Sequence, residues 1–168
     1  YVNASSFLID PAKAALLPWQ AIVLSVGGLL VGWLFYDGLC RSPLNKHTGP
    51  LALIVFCFVL AAAYFYTHIF SGRGAFIQIG ALIGTMMAAN VFMVIIPNQR
   101  KSTAALIRGE QPDPRFGITG KQRSLHNTYF TLPVLVMMVS NHYAFLTESP
   151  HAWILIGLII IGGAMLRQ

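Results

Sequence analysis

Long uncharged, apolar stretches alternate with short charged connectors along the chain. Lys13 to Asp37 encloses 23 uncharged residues, Lys46 to Arg73 26, Arg73 to Arg100 26, Arg123 to Glu148 24 and Glu148 to Arg167 18. About 20 mostly apolar residues in a helix cross the hydrocarbon core of a bilayer. The pattern therefore predicts five transmembrane helices, near 18–37, 51–70, 75–97, 126–146 and 151–167. The runs are continuous and do not alternate over ~10 residues, which favours helices over barrel strands. Punctuation agrees with these limits: Pro18 suits a first helical turn, Gly49-Pro50 opens the second span, Ser71-Gly72 closes it and Pro97 closes the third. Glu148-Ser149-Pro150 makes the last turn. The predicted fold is all-α, a polytopic transmembrane helical bundle in one domain over 1–168, with 98–125 as its long loop. The opening Tyr1-Val2-Asn3-Ala4 lacks the basic start and small-residue cleavage site of a signal peptide, as expected for part of a longer chain.

Composition sharpens the class. Hydrophobic residues make up 56% of the 168 positions and charged residues only 10%, whereas a soluble domain carries about 25% charged residues. Mean hydropathy is +0.66. A soluble enzyme, a disordered chain and a conventional nucleic-acid-binding domain are all excluded on this ground. The net charge of +6 reports topology. With alternating spans, Arg41, Lys46, Arg100, Lys101, Arg108, Arg115, Lys121, Arg123 and Arg167 fall on one side and only Lys13 and Arg73 on the other. The excess of basic residues marks the cytoplasmic side, so loops 38–50 and 98–125 are expected in the cytoplasm of a bacterial inner membrane. Cys40 and Cys57 have neither metal-ligand nor haem-attachment spacing.

Small residues at Gly28-x-x-x-Gly32 and Gly80-x-x-x-Gly84, followed by Ala88, mark candidate helix contacts. Polar side chains inside a span are costly and tend to face the bundle interior; here they are His68, Gln78, Asn90, His126, Asn127, Asn141 and His142. His68 and His142 lie at similar depth near the outer ends of their spans. Two imidazoles at one level suit bis-histidine ligation of haem b, with Gln78 placed to hydrogen-bond a ligand histidine or a propionate. Equally, each histidine is a simple interfacial group bonded to a carbonyl or a headgroup. No metal is expected beyond that haem iron.

His126 belongs to a second group, Gly120-Lys121-Gln122-Arg123-Ser124-Leu125-His126-Asn127, at the cytoplasmic mouth of the fourth span. Cations, an imidazole, an amide and a helix N-terminus there favour a small anion, or else lipid phosphate. Arg100 and Arg123 would flank one pocket, with Asn90 as its floor. Ser102 to Arg108 reads as a short surface helix capped by Gly109, and Pro133 as a place for a local bend.

Four blocks resemble the bacterial membrane-bound urate oxidase (urate hydroxylase) family: Tyr36-Asp37-Gly38-Leu39-Cys40-Arg41-Ser42-Pro43-Leu44, Asn90 through Lys101, Gly120 through Tyr129, and Ser140-Asn141-His142-Tyr143. The resemblance implies a membrane domain that oxidises urate to 5-hydroxyisourate in purine catabolism. It also implies a C-terminal cytochrome c, absent from this chain, that carries electrons toward the respiratory chain. The family's first helices are missing here as well, and Gln78 and Gln168 stand where histidine is expected in relatives. The residues assigned to urate chemistry are His126 and Asn127, with Arg123, Lys121, Arg100 and Asn90 binding the anion. Expected partners are membrane lipid, the remaining helices or subunits of a larger complex, a cytochrome c-type acceptor and urate or a related purine, with no nucleic acid. Two other readings stay open: a haem b electron-transfer subunit without substrate chemistry, and a purely structural subunit of a respiratory complex.

Overall fold

A computed structural model describes residues 4–167, without the side chains of Ala4 and Asn141. The sequence readings at Tyr1-Val2-Asn3, Gln168 and the Asn141 side chain thus lie outside the described residues. Among those described there is no strand, and the helices follow in the order α1 (Ala4–Phe7), α2 (Pro18–Arg41), α3 (Thr48–Ile69), α4 (Gly72–Ala89), α5 (Ile96–Ile107), α6 (Pro114–Val139), α7 (Ala144–Thr147) and α8 (Ala152–Leu166). A π-helical stretch, Asn90–Ile95, joins α4 to α5 without a break.

Local chemistry sets the ends. Pro18 starts α2 where its missing N–H costs nothing, and the Leu17 N–H donates to Gln20 Oε1 at 2.9 Å. Ser42 stops α2, its hydroxyl donating back to the Leu39 carbonyl at 2.7 Å. Ser71 caps α4 by accepting from the Gly74 N–H at 3.0 Å. Gly109 ends the α5 rod in a left-handed conformation, φ +74°, as a residue after a helix C-cap commonly does. Asp113 accepts from the Arg115 N–H at 2.9 Å and Pro114 opens α6.

Three segments are long and apolar enough to cross a membrane: Pro18–Arg41, Thr48–Ile69 and the continuous Gly72–Ile107. Leu30, Val31, Leu34, Leu53, Phe92 and Met93 stand exposed on them, as side chains facing lipid would. The fourth and fifth expected spans are not confirmed as such. α6 begins at Pro114 rather than near 126 and ends at Val139 rather than near 146. Its first half carries Lys121, Arg123, His126 and Asn127, which dilute the apolar run. α8 has 15 described residues, roughly 22 Å of helix against a core of about 30 Å.

Two expected breaks disappear. The third helix does not close at Pro97 but runs on through it to Ile107. In the π stretch the Ile96 N–H reaches back five residues to the Val91 carbonyl, and this widened turn relieves the clash that Pro97 would cause in a regular α-helix. Consequently 98–125 is no loop: only the connection between Ile107 and Pro114 is irregular. His142, expected inside a span, lies instead in a 3-10 turn, Ser140–His142.

α4 is the hub. It packs against α2, α3 and α6, while α8 closes the bundle against α3 and α6. Ala75, Phe76, Ile79, Gly80, Leu82, Ile83 and Met86 are all buried along it. The glycine motifs act unequally. At Gly28 a Cβ would run into the Tyr66 hydroxyl and at Gly32 into Leu82, so this pair admits α3 and α4 against α2. At Gly80 a Cβ would stand 3.2 Å from Met137 Cβ, but Gly84 has nothing within 4 Å. Gly163 receives the ring of Pro133, whose Cδ would lie 2.7 Å from an added Cβ; Pro133 stays inside α6.

The tightest approach to backbone is at Gly72, where an added methyl would meet the carbonyl of Thr147. Backbone cannot rotate away as a side chain can. Gly72→Ala is therefore expected to destabilise the bundle by about 1–3 kcal/mol. Gly84→Ala, which adds a methyl in open space and gains helix propensity, should be neutral or stabilising. Thermal unfolding midpoints of the two variants in detergent check this.

Candidate functional site

The last turn of α2, the first residue of the π stretch and the N-terminal half of α6 converge at the basic end of the bundle. On α6 the residues Arg123, His126, Asn127 and Phe130 follow the i, i+3, i+4, i+7 spacing of a single helix face. On α2, Tyr36, Asp37 and Cys40 share the turn opposite. Asn90 enters from the hub, fully buried.

Arg123 is the centre. It is 1% exposed, so its charge has left water at a cost of several kcal/mol. Its Nη2 donates to Asp37 Oδ1 at 2.7 Å and its Nη1 to Asn90 Oδ1 at 3.0 Å. The guanidinium also stands over the Tyr36 ring, 5.1 Å from its centroid. Arg123 Nε is buried without a hydrogen-bond partner. Asp37 is shared: its Oδ2 accepts from Arg41 Nε at 2.6 Å, with Arg41 largely in solvent.

Hydrogen-bond directions follow by elimination. Asn90 Oδ1 is taken by Arg123, so the Asn90 amide donates to Tyr36 OH and to Asn127 Oδ1, both at 2.9 Å. Asn127 in turn donates to the Met87 carbonyl at 3.0 Å. Tyr36 OH, which accepts from Asn90, also lies 2.8 Å from His126 Nδ1; in the Nε2–H tautomer of the imidazole the phenol donates this bond. Cys40 Sγ lies 3.8 Å from the same Nδ1, and Phe130 closes the apolar side with its ring 6.0 Å from that of Tyr36. The result is a directed chain, Arg123 to Asn90 to Tyr36 to His126, able to pass a proton between the phenol and the imidazole.

Of the residues proposed from sequence, Asn90, Arg123, His126 and Asn127 meet in this one network. Lys121 points elsewhere, into a cleft between α5 and α6. Arg100 is exposed and lines neither the cleft nor the network. Arg123 is buried rather than flanking a pocket. Tyr36, Asp37 and Cys40 were not singled out as site residues. An acidic residue at the end of a span, among only five in the chain, is the signal that would have flagged Asp37 as the partner of a buried arginine.

The haem candidates lie apart from this network. Gln78 is buried and committed to Ser25, accepting from its hydroxyl at 2.6 Å and donating to its carbonyl at 2.9 Å. His68 is exposed, with Nδ1 2.7 Å from the Tyr64 carbonyl and its ring 4.2 Å from that of Tyr64. His142 is exposed on its turn. Among the described residues no three His, Cys, Asp or Glu side chains group as metal ligands.

Fold and site together define an all-α protein with membrane-length apolar helices and a buried charged network where three of its helical segments meet. The chain matches the urate oxidase N-terminal family over residues 1–168 and belongs to it. No curated protein and no solved structure shows significant similarity to it.

The Arg123–Asp37 pair yields a direct expectation. Asp37→Asn strands the buried guanidinium and should cost about 3–5 kcal/mol. Arg41→Gln removes only an exposed partner and should cost under ~1 kcal/mol. Denaturant or thermal melts of both variants compare the two.

Proposed function

We propose that this chain is the membrane part of a urate-oxidising system of the bacterial inner membrane, with its basic end in the cytoplasm. The observation that carries the reading is the buried Arg123–Asn90–Tyr36–His126 chain, in a protein of the urate oxidase N-terminal family. A purely structural polar tie between helices needs a hydrogen bond or two. It does not need a buried guanidinium, a phenol and an imidazole in sequence.

The reaction itself states what such a site must do. Urate plus water gives 5-hydroxyisourate, two protons and two electrons, with the water oxygen ending on C5. The electrons leave to an acceptor of the cytochrome c type. The protons need a base, and the Tyr36–His126 pair is arranged as one: His126 Nδ1 takes the phenolic proton while its Nε2–H gives one up toward the half-buried mouth. Asn90 and Asn127 hold the phenol in line. Arg123 and Asp37 place a fixed dipole behind it, its positive end against the Tyr36 ring. That field favours an anion approaching the basic end of the bundle. Haem b held by His68 and His142 remains a proposal resting on their depth in the sequence, and no step here passes through it.

Tyr36→Phe removes the phenol and breaks the relay while leaving the ring in place. It should lower urate-dependent reduction of an added c-type cytochrome by about 100-fold or more, with urate affinity retained. Native turnover in that variant would assign the network to structure alone.

A further inference from the structure

The side chains of the network are largely taken up with one another, which leaves the place of substrate binding to be found. Beside the network, α5 and α6 border an open cleft of about 380 Å³, with Gln99, Thr103, Lys121 and Ser124 exposed along it. Its α5 wall carries Gln99, Ser102 and Thr103, one turn after Ile95; its α6 wall carries Lys121 and Ser124; Phe116 closes one end. On α6 the cleft exists because Gly117 and Gly120 have no side chain, and a Cβ on either would meet nothing within 4 Å. Among the described residues, no hydrogen bond uses the side chains of Gln99, Ser102, Thr103, Lys121 or Ser124. The cleft thus presents one cation, one amide and three hydroxyls, each able to turn toward a ligand.

The cleft and the network share walls. Gly120, Ser124 and Asn127 follow i, i+4, i+7 along α6, so the stripe that begins in the cleft ends in the network. On the facing rod the π stretch brings residues five apart nearly into register. Asn90, the hub of the network, and Ile95, at the cleft wall, are such a pair. The irregular turn therefore lets a single helix serve both places.

We propose that this cleft seats the urate anion, with Lys121 against its charge and Gln99, Ser102, Thr103 and Ser124 at its lactam edges. Phe116 borders its ring plane, and its reacting carbon is turned toward Asn127. The inference rests on the urate reading above and adds where the substrate sits. A planar oxopurine offers alternating N–H and C=O groups around its rim, which an amide and hydroxyls match because each both donates and accepts. A phosphodiester group offers acceptors only and would make no hydrogen bond to the Gln99 carbonyl.

The test uses the full chain purified in detergent and radiolabelled urate in equilibrium dialysis, with turnover measured on the same samples. Gly120→Leu fills the cleft; Gln99→Ala removes an edge contact without adding volume. Gly162→Leu on α8, also in open space, is the matched control. Both cleft variants should weaken urate binding and raise KM by about tenfold. kcat should change far less, and Gly162→Leu should behave as native. Native affinity in Gly120→Leu and Gln99→Ala, in a protein that still oxidises urate, overturns the cleft and leaves the urate reading intact. Loss of co-purifying anionic phospholipid on filling the cleft, with urate affinity unchanged, overturns it in favour of a lipid headgroup. A native protein that neither binds nor oxidises urate removes the broader reading, and this inference with it.

Discussion

A guanidinium withdrawn from water is the constraint around which this bundle is organised. Arg123 is 1% exposed, and an unpaired charge in such a place would be untenable. Asp37 must therefore come from α2 and Asn90 from the hub, which fixes how α2, α4 and α6 meet at the basic end. The remaining polar groups follow from those two. Once Asn90 Oδ1 is given to Arg123, its amide hydrogens are directed to Tyr36 and Asn127, and the Tyr36 hydroxyl meets His126 Nδ1. One buried charge thus orders five further side chains, Asp37, Asn90, Tyr36, Asn127 and His126, across three helical segments.

The opposite end is organised differently. There the Ser25–Gln78 pair joins α2 to α4 by two hydrogen bonds and carries no formal charge. The N-terminal segment is tied down by the Ser71 N–H to the Leu8 carbonyl and by Lys13 to the Thr67 carbonyl, both at 2.9 Å. Such contacts, the Lys13 ammonium at the surface aside, satisfy polar groups and align helices without a buried charge. They do not create a field, which is why the chemistry is placed at the end holding Arg123.

The apolar runs disclosed the helical class and the first two long helices closely, because charged connectors bound them. Pro97 misled: proline ends a regular α-helix, but a preceding π turn removes the clash, and nothing in the residue order announces that turn. The N-terminal half of α6 was hidden for a related reason. Its charges look like a loop when read along the chain, yet Arg123 and Asn127 face inward and are paid for by partners 33 to 86 residues away. The site was half legible. Asn90, Arg123, His126 and Asn127 stood out as polar groups near a span, whereas Tyr36 and Asp37 merge into the end of an apolar helix and gain meaning only through what they touch.

Stoichiometry without oxygen tests the account most directly. Native protein, purified with lipid and supplied anaerobically with urate, oxidised cytochrome c and isotopically labelled water, should reduce two cytochromes per urate and release two protons. The label should appear in 5-hydroxyisourate. Urate left unconsumed by folded protein under these conditions, or a product whose added oxygen is not the solvent's, would contradict it.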